Sequence, residues 1–199
     1  MTTLNSTDIE NFWIRVYLNP KEGLLVACAD RAYRDLNRTL RGISKEQTKE
    51  KYYRLRGHMM KLTQDLISQN FKDQSDFDQS HKLKCDDMIQ IFNSQYSDVR
   101  MAYGQAQKWI NMYLKYLFAL GKSRIADIDK NYKYFHLPID NIIQTELEKF
   151  GQIERISGVW SQINDYDVYL GYQDRVRKHF KDSIPMDIEF DLFNKASSS

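Results

Sequence analysis

Apolar residues recur at helical spacing along most of this 199-residue chain. The first such pattern comprises Ile9, Phe12, Trp13, Val16 and Tyr17, which would share one face of a helix. Strict alternation of apolar and polar residues, which marks a half-buried strand, never lasts more than a few positions. The predicted helices cover residues 6–18, 20–42, 44–71, 75–96, 102–121, 138–151 and 157–180, and a short terminal element covers 183–194.

These patterns predict an all-α protein of about seven or eight helices. A hydrophobic content of 42% is enough to bury one sizeable core in a chain of this length. We therefore expect a single helical domain over residues 1–194, or two lobes of that domain around a central cleft, followed by a disordered tail at 195–199.

The most apolar helix, residues 102–121, carries polar side chains on one narrow face. At about 100° per residue, Asn111 and Lys115 lie about 60° and 20° to one side of Lys108. Gln105 lies about 60° to the other side. The stripe has two interpretations: it is the solvent face of an amphipathic helix, or it forms the floor of an active-site cleft. An unpaired ammonium group is too costly to bury, so either interpretation requires water or a partner.

A second polar feature follows a predicted loop at residues 122–138. Pro138 suits the start of a helix, because its fixed φ is helical and its missing N–H is not needed there. Asp140 would then lie in the first turn, where the helix dipole favours a carboxylate. Such an acid is common as a simple stabiliser of a helix start, and it is also suited to acid–base chemistry. His136 precedes it as a residue of the loop or of a cleft.

The formal net charge of +2 does not require a nucleic-acid partner, but clustered cations would permit one. Four arginines recur at helical spacing in the second predicted helix and would form one basic stripe suited to phosphate. They are Arg31, Arg34, Arg38 and Arg41. The alternative is a solvated helix face that pairs with nearby acids such as Asp30 and Asp35.

Several other classes of protein are disfavoured by the sequence. The N-terminal residues lack the basic and apolar regions of a signal peptide, and no apolar run is long enough to span a bilayer. Cys28 and Cys85 are far apart and form no CxxC pair, which favours a reduced, cytoplasmic protein. His81 and Cys85 have metal-ligand spacing on a helix, but no second pair follows, so we predict neither a metal site nor a cofactor.

Two short motifs resemble those of the helix-hairpin-helix DNA glycosylases, which include the 8-oxoguanine glycosylases. The segment GQAQK, Gly104 to Lys108, is similar to the end of the glycine hairpin and the catalytic lysine of that family. PID, Pro138 to Asp140, is similar to the family's later motif with the catalytic aspartate, and the order of the two motifs is the same. The resemblance mainly covers residues 104–140. It departs from the family at Ala106, where a second glycine would be expected.

The resemblance implies a base-excision glycosylase with lyase activity that acts on double-stranded DNA in DNA repair. Lys108 would be the nucleophile that forms a Schiff base, and Asp140 would stabilise charge on the sugar and assist proton transfer. The expected substrate-binding residues are Gln105, Asn111, Lys115, Tyr134 and His136, and the arginine stripe would contact the DNA backbone.

A second hypothesis is a non-catalytic helical binding module with a defence, regulatory or phage-associated role. Such a module would contact nucleic acid or a partner protein, and neither hypothesis involves a membrane. The sequence leaves the oligomeric state open.

Overall fold

Eight α-helices and three short 3-10 helices account for most of the residues that the structure describes. The structure is a computed structural model that describes residues 5–40 and 49–196. The α-helices are α1 (Ser6–Leu18), α2 (Leu24–Leu36), α3 (Lys49–Ser68), α4 (Gln74–Gln95), α5 (Tyr103–Leu120), α6 (Asn141–Gly151), α7 (Tyr166–His179) and α8 (Pro185–Ala196). The 3-10 helices are Asn37–Thr39, Tyr132–Tyr134 and Trp160–Gln162. The predicted all-α domain is confirmed, with no strand among the described residues.

The buried apolar residues form one core, with α5 at its centre. Helix α5 packs against α2 on one side and against α3, α4 and α7 on others. Trp109 of α5 is fully buried, and its indole N–H donates to the main-chain oxygen of Ala29 in α2, 3.2 Å away. The helix ends where expected, at Gly121, whose φ of 79° favours glycine. Because α5 is enclosed on most sides, its few polar side chains need partners from other helices.

Helix α1 begins at Ser6, as predicted, whereas the start of α2 differs from the sequence prediction for a local reason. Helix α1 is capped by Asn5 and Asp8, which bond to each other's main-chain N–H groups. Helix α2 begins at Leu24, because the chain turns after Pro20 and passes through Gly23 with a φ of 98°. This helix also ends at Leu36, well before the predicted end.

Helix α7 begins later than predicted, because residues before Tyr166 pack against the start of α5. The N–H of Gly104 donates to the main-chain oxygen of Ile163 at 3.1 Å. A Cβ atom at Gly104 would lie only 1.9 Å from the main-chain oxygen of Trp160. Glycine is therefore required at position 104 by a close backbone contact inside the protein.

Helix α6 begins at Asn141, and Pro138 lies buried in the extended segment before it. Asp140 was predicted to lie in the first turn of this helix and is instead its N-cap residue, directly before the first turn of α6. At the C-terminus, α8 continues to Ala196, and residues 197–199 lie outside the described part. None of the described helices is both long and apolar enough to cross a membrane.

Candidate functional site

Lys108 and Asp140 form an ion pair between α5 and the start of α6. The Nζ atom of Lys108 lies 2.6 Å from Oδ2 of Asp140. The other carboxylate oxygen, Oδ1, accepts the N–H of Ile143 at 2.9 Å, as an N-cap does. The lysine side chain is 3% exposed and the aspartate side chain 22% exposed. The two residues that were predicted from separate motifs are therefore in direct contact at the edge of the core.

A second ion pair lies two helical turns further along α5. Lys115 pairs with Glu189 of α8, and both side chains are buried. Burial raises the pKa of the Glu189 carboxyl, against the opposing charge of Lys115. The charges of Lys108 and Asp140 are also close enough to affect this carboxyl. Glu189 was not among the predicted site residues, because it belongs to a short terminal helix with no recognisable motif.

Both ion pairs line one cleft, which has a volume of about 510 Å³. One wall is aromatic and includes Trp13 and Tyr17 of α1 and Phe190 of α8. The lining side chains carry four cations and three carboxylates, which leaves a net charge of +1. These are Arg31, Arg38, Lys108 and Lys115, with Asp35, Asp140 and Glu189. A slightly positive cleft with aromatic walls suits a ligand that has both a planar ring and an anionic group.

The predicted arginine stripe is only partly present at this cleft. Arg31 and Arg38 line it, whereas Arg34 is exposed outside the lining. Arg31 also lies over the ring of Tyr17, with 4.7 Å between its guanidinium carbon and the ring centroid. Arg34 lies on α2 with Arg31 but does not line the cleft, whereas Arg38 lies beyond the end of α2, in the 3-10 helix Asn37–Thr39, and does line it. Arg41 lies outside the described residues.

Gln105 and Tyr134, two of the predicted substrate-binding residues, have other structural roles. The Gln105 side chain accepts the N–H of Ala102 at 2.9 Å and donates to the main-chain oxygen of Thr39 at 3.1 Å. It therefore caps α5 and ties it to the end of α2. Tyr134 stacks on Phe77, and its side chain does not line the cleft.

Asn111 and His136, also predicted to bind substrate, belong to a buried polar network on another side of α5. Both residues are fully buried. The Asn111 amide N–H₂ group donates to Gln107 at 3.0 Å and to the Tyr169 hydroxyl at 2.9 Å. Its oxygen lies 3.0 Å from Nε2 of His81. The predicted stripe is thus divided: Lys108 and Lys115 reach the cleft, and Asn111 reaches this interior network.

The hydrogen bonds determine which nitrogen of each histidine carries the proton. The Gln107 amide donates to two main-chain oxygens, so its own oxygen must accept from Asn111. The Asn111 oxygen is then the acceptor for His81, and Nε2 of His81 must be the donor. His136 donates from Nε2 to Asp78 at 2.7 Å and accepts the Tyr169 hydroxyl at Nδ1. In the neutral form His136 makes both of its bonds and His81 makes its bond to Asn111. The single proton of the Tyr166 hydroxyl then has two acceptors within reach, Nδ1 of His81 at 2.8 Å and the main-chain oxygen of Asp78 at 3.0 Å.

Asp78 is the charged group at the centre of this network, and its neighbours stabilise its ionised form. Although burial opposes the effect, hydrogen bonds and charges from His136 and Arg177 hold the pKa of Asp78 well below its ordinary value. Arg177 binds both carboxylate oxygens, at 2.8 and 2.9 Å. Burial lowers the pKa of His81 and of His136 below 6.5, which favours the neutral rings. Both histidines and the Asp78 carboxylate are hydrogen-bonded within the protein, so the network is suited to holding the helices together, and Asp78 and Arg177 also line a pocket of about 540 Å³.

His81 and Cys85, which have metal-ligand spacing, lie in the same buried region. The Cys85 sulfur lies 3.7 Å from Nδ1 of His81, and the Tyr166 hydroxyl lies closer to that nitrogen at 2.8 Å. Burial raises the pKa of the Cys85 thiol well above its ordinary value. The spacing of this pair is explained by packing and hydrogen bonding.

The cleft therefore holds the groups that are available for chemistry on a ligand. It combines an amine, Lys108, with the carboxylates of Asp140 and Glu189 beside aromatic rings and two arginines. No protein-family model, curated protein or solved structure matches this chain. A functional assignment consequently depends on the chemistry of this cleft.

Proposed function

We propose that the chain is a DNA base-excision glycosylase with lyase activity, acting in DNA repair through Lys108 and Asp140. The observation that carries the proposal is the 2.6 Å contact between Lys108 Nζ and Asp140 Oδ2 at the cleft. An amine with a carboxylate in contact can lose its proton to that carboxylate and become a nucleophile. The resemblance to helix-hairpin-helix glycosylases in GQAQK and PID assigns the same two residues to the same roles.

The proposed reaction assigns a role to both ion pairs of the cleft and to its aromatic wall. Asp140 accepts a proton from Lys108, and the Nζ lone pair attacks the C1′ atom of the sugar. The bond between C1′ and the base breaks, and its electron pair leaves with the base, which takes a proton from the Lys115–Glu189 pair. Asp140 then gives its proton to O4′ and takes a second proton from Nζ, so the bond between C1′ and O4′ breaks and the opened sugar is held as a protonated Schiff base between Lys108 and C1′. The aromatic wall is suited to holding a base that has left the stack.

Borohydride trapping tests this proposal directly, because borohydride reduces a Schiff base to a stable covalent adduct. We expect an adduct when the protein is incubated with duplex DNA that contains an abasic site or a damaged base. Lys108→Gln should abolish the adduct. Lys84→Gln is the matched control, since Lys84 also forms a 2.6 Å ion pair, with Asp65, away from the cleft. If the natural protein forms no adduct on any substrate, the lyase function is wrong.

A second candidate is a non-catalytic module that binds nucleic acid at the same cleft. It is favoured by the fact that both oxygens of Asp140 already have partners, Ile143 and Lys108. The Gly104 N–H also favours this candidate. It donates to the main-chain oxygen of Ile163, so it is not free to contact a phosphate as a hairpin glycine would. This alternative predicts DNA binding without strand cleavage or base release. The binding should weaken as the salt concentration rises, and it should weaken with Arg31→Gln or Arg38→Gln.

A further inference from the structure

Helix α1 presents its apolar face to solvent, which is the reverse of the usual arrangement. The large side chains on that face are between 47% and 61% exposed. They are Ile9, Phe12, Trp13, Val16 and Tyr17. Phe12 and Trp13 pack edge to face with their ring centroids 5.4 Å apart, and helical spacing places the five side chains on the same face of α1. A contiguous apolar patch of this kind marks an interaction site.

The opposite side of α1 fixes this orientation. Leu18 is buried in the core and Ile14 packs against it. Arg124 donates to Glu10 at 3.0 Å and to Asn11 at 3.3 Å. Because these contacts hold the helix from behind, the apolar face is exposed in the folded protein and is not simply a frayed segment.

The charges of α1 indicate what kind of partner fits the patch. The helix carries Asp8, Glu10 and Arg15, which gives a net charge of −1. A negative helix is poorly matched to a phosphate backbone or an anionic membrane surface. Asp8 and Arg15 lie seven residues apart, about two turns, on the same edge of the apolar face. One edge therefore has an acid near its start and a base near its end.

That arrangement is self-complementary. When two copies of a helix pack antiparallel about a twofold axis, the same edges meet and the start of one lies opposite the end of the other. Asp8 of one copy then faces Arg15 of the second copy, and this contact occurs twice. The apolar residues 9–17 of the two copies would cover each other between these charge pairs.

We propose that this face of α1 is a homodimer interface, in which two copies pair their α1 helices antiparallel about a twofold axis. Trp13 and Tyr17 belong both to this face and to the wall of the cleft. The second copy consequently borders the opening of the cleft and narrows access to Lys108. The interface does not depend on the proposed glycosylase function, because it rests on α1 alone.

Sedimentation velocity over a wide concentration range tests the interface. We expect the natural protein to dimerise and Trp13→Asp to weaken dimerisation by about a hundredfold or more, since aromatic residues dominate such interfaces. Leu83→Asp is the matched control, because Leu83 is an equally exposed apolar residue on α4 and should not affect dimerisation. A natural protein that is monomeric at every concentration would overturn the proposal.

A charge exchange tests the antiparallel arrangement separately. Asp8→Arg alone and Arg15→Asp alone should each weaken the dimer, because each creates two like-charge contacts. An equimolar mixture of the two variants should form a heterodimer, since all contacts between them are again opposite in charge. This mixture also controls for any loss of helix capping at Asp8, which would not be rescued by the other variant. If the mixture stays monomeric while the natural protein dimerises, the antiparallel arrangement is wrong.

Discussion

The cleft and the buried histidine network both include polar residues of α5, but these residues differ in what surrounds them. The inner groups of the network are enclosed: His81, Asn111, Tyr169 and His136 bond to one another and to Asp78, which also borders a separate pocket of about 540 Å³. The cleft leaves Lys108 and Asp140 in contact beside an accessible volume of about 510 Å³. The comparison indicates that burial alone does not mark a functional residue. A polar group that is satisfied entirely by its neighbours stabilises the fold, whereas one that borders a cleft can also meet a ligand.

The largest expected contrast comes from the same substitution in the two regions. Asp78→Asn should lower the free energy of unfolding by about 3–5 kcal/mol, because Arg177 and His136 lose a shared buried carboxylate. Asp140→Asn should cost only about 1–2 kcal/mol, because asparagine keeps the helix cap and Lys108 borders the cleft. Urea denaturation of both variants measures the difference. Equal costs would mean that the two regions are both structural.

The pH dependence of stability should come from the network. Above pH 6.5 the two histidines are neutral in both states, and their contribution to stability is complete. As pH falls through 6.5, the unfolded chain binds protons while the folded rings, with lowered pKa, stay neutral. Stability should therefore fall as the pH is lowered below 6.5, with a slope of at most about 1.4 kcal/mol per pH unit for each histidine.

Chemical denaturation between pH 8 and pH 5 (about the range that histidine titration covers) measures this slope. Asp140→Asn should leave it unchanged, because none of the described cleft-lining residues is a histidine. A flat profile would show that the network does not hold its histidines neutral.

The smallest expected effect concerns the second ion pair of the cleft. Lys115→Met and Glu189→Leu should each cost about 2 kcal/mol, because each leaves a buried charge without its partner. The double variant should be within about 1 kcal/mol of the natural protein, since apolar side chains can replace a buried ion pair. A double-mutant cycle over the natural protein, the two single variants and the double variant gives the coupling free energy between Lys115 and Glu189. Costs that simply add would show that the two residues do not interact.

The helical content and the central position of α5 could be predicted from the sequence because apolar periodicity is a local signal. The end of α5 at Gly121 was predicted for the same reason. The start of α7 was not, because the close packing of residues 160–163 against Gly104 is a contact between distant segments. Likewise, α2 was predicted to be too long, since its end depends on the turn that follows Leu36.

The sequence by itself determined which residues could form the site: it identified Lys108 and Asp140, and it aligned Lys115 with them. Only the tertiary structure decided which polar residues share a cleft. Asn111 differs from Lys108 by less than one helical turn, yet α4 and α7 enclose it while α6 and α8 leave Lys108 beside open space. Glu189 joined the site only because α8 packs beside α5. Helical spacing fixes the direction of a side chain, but the neighbouring helices determine whether that direction leads to a partner, to a cleft or to water.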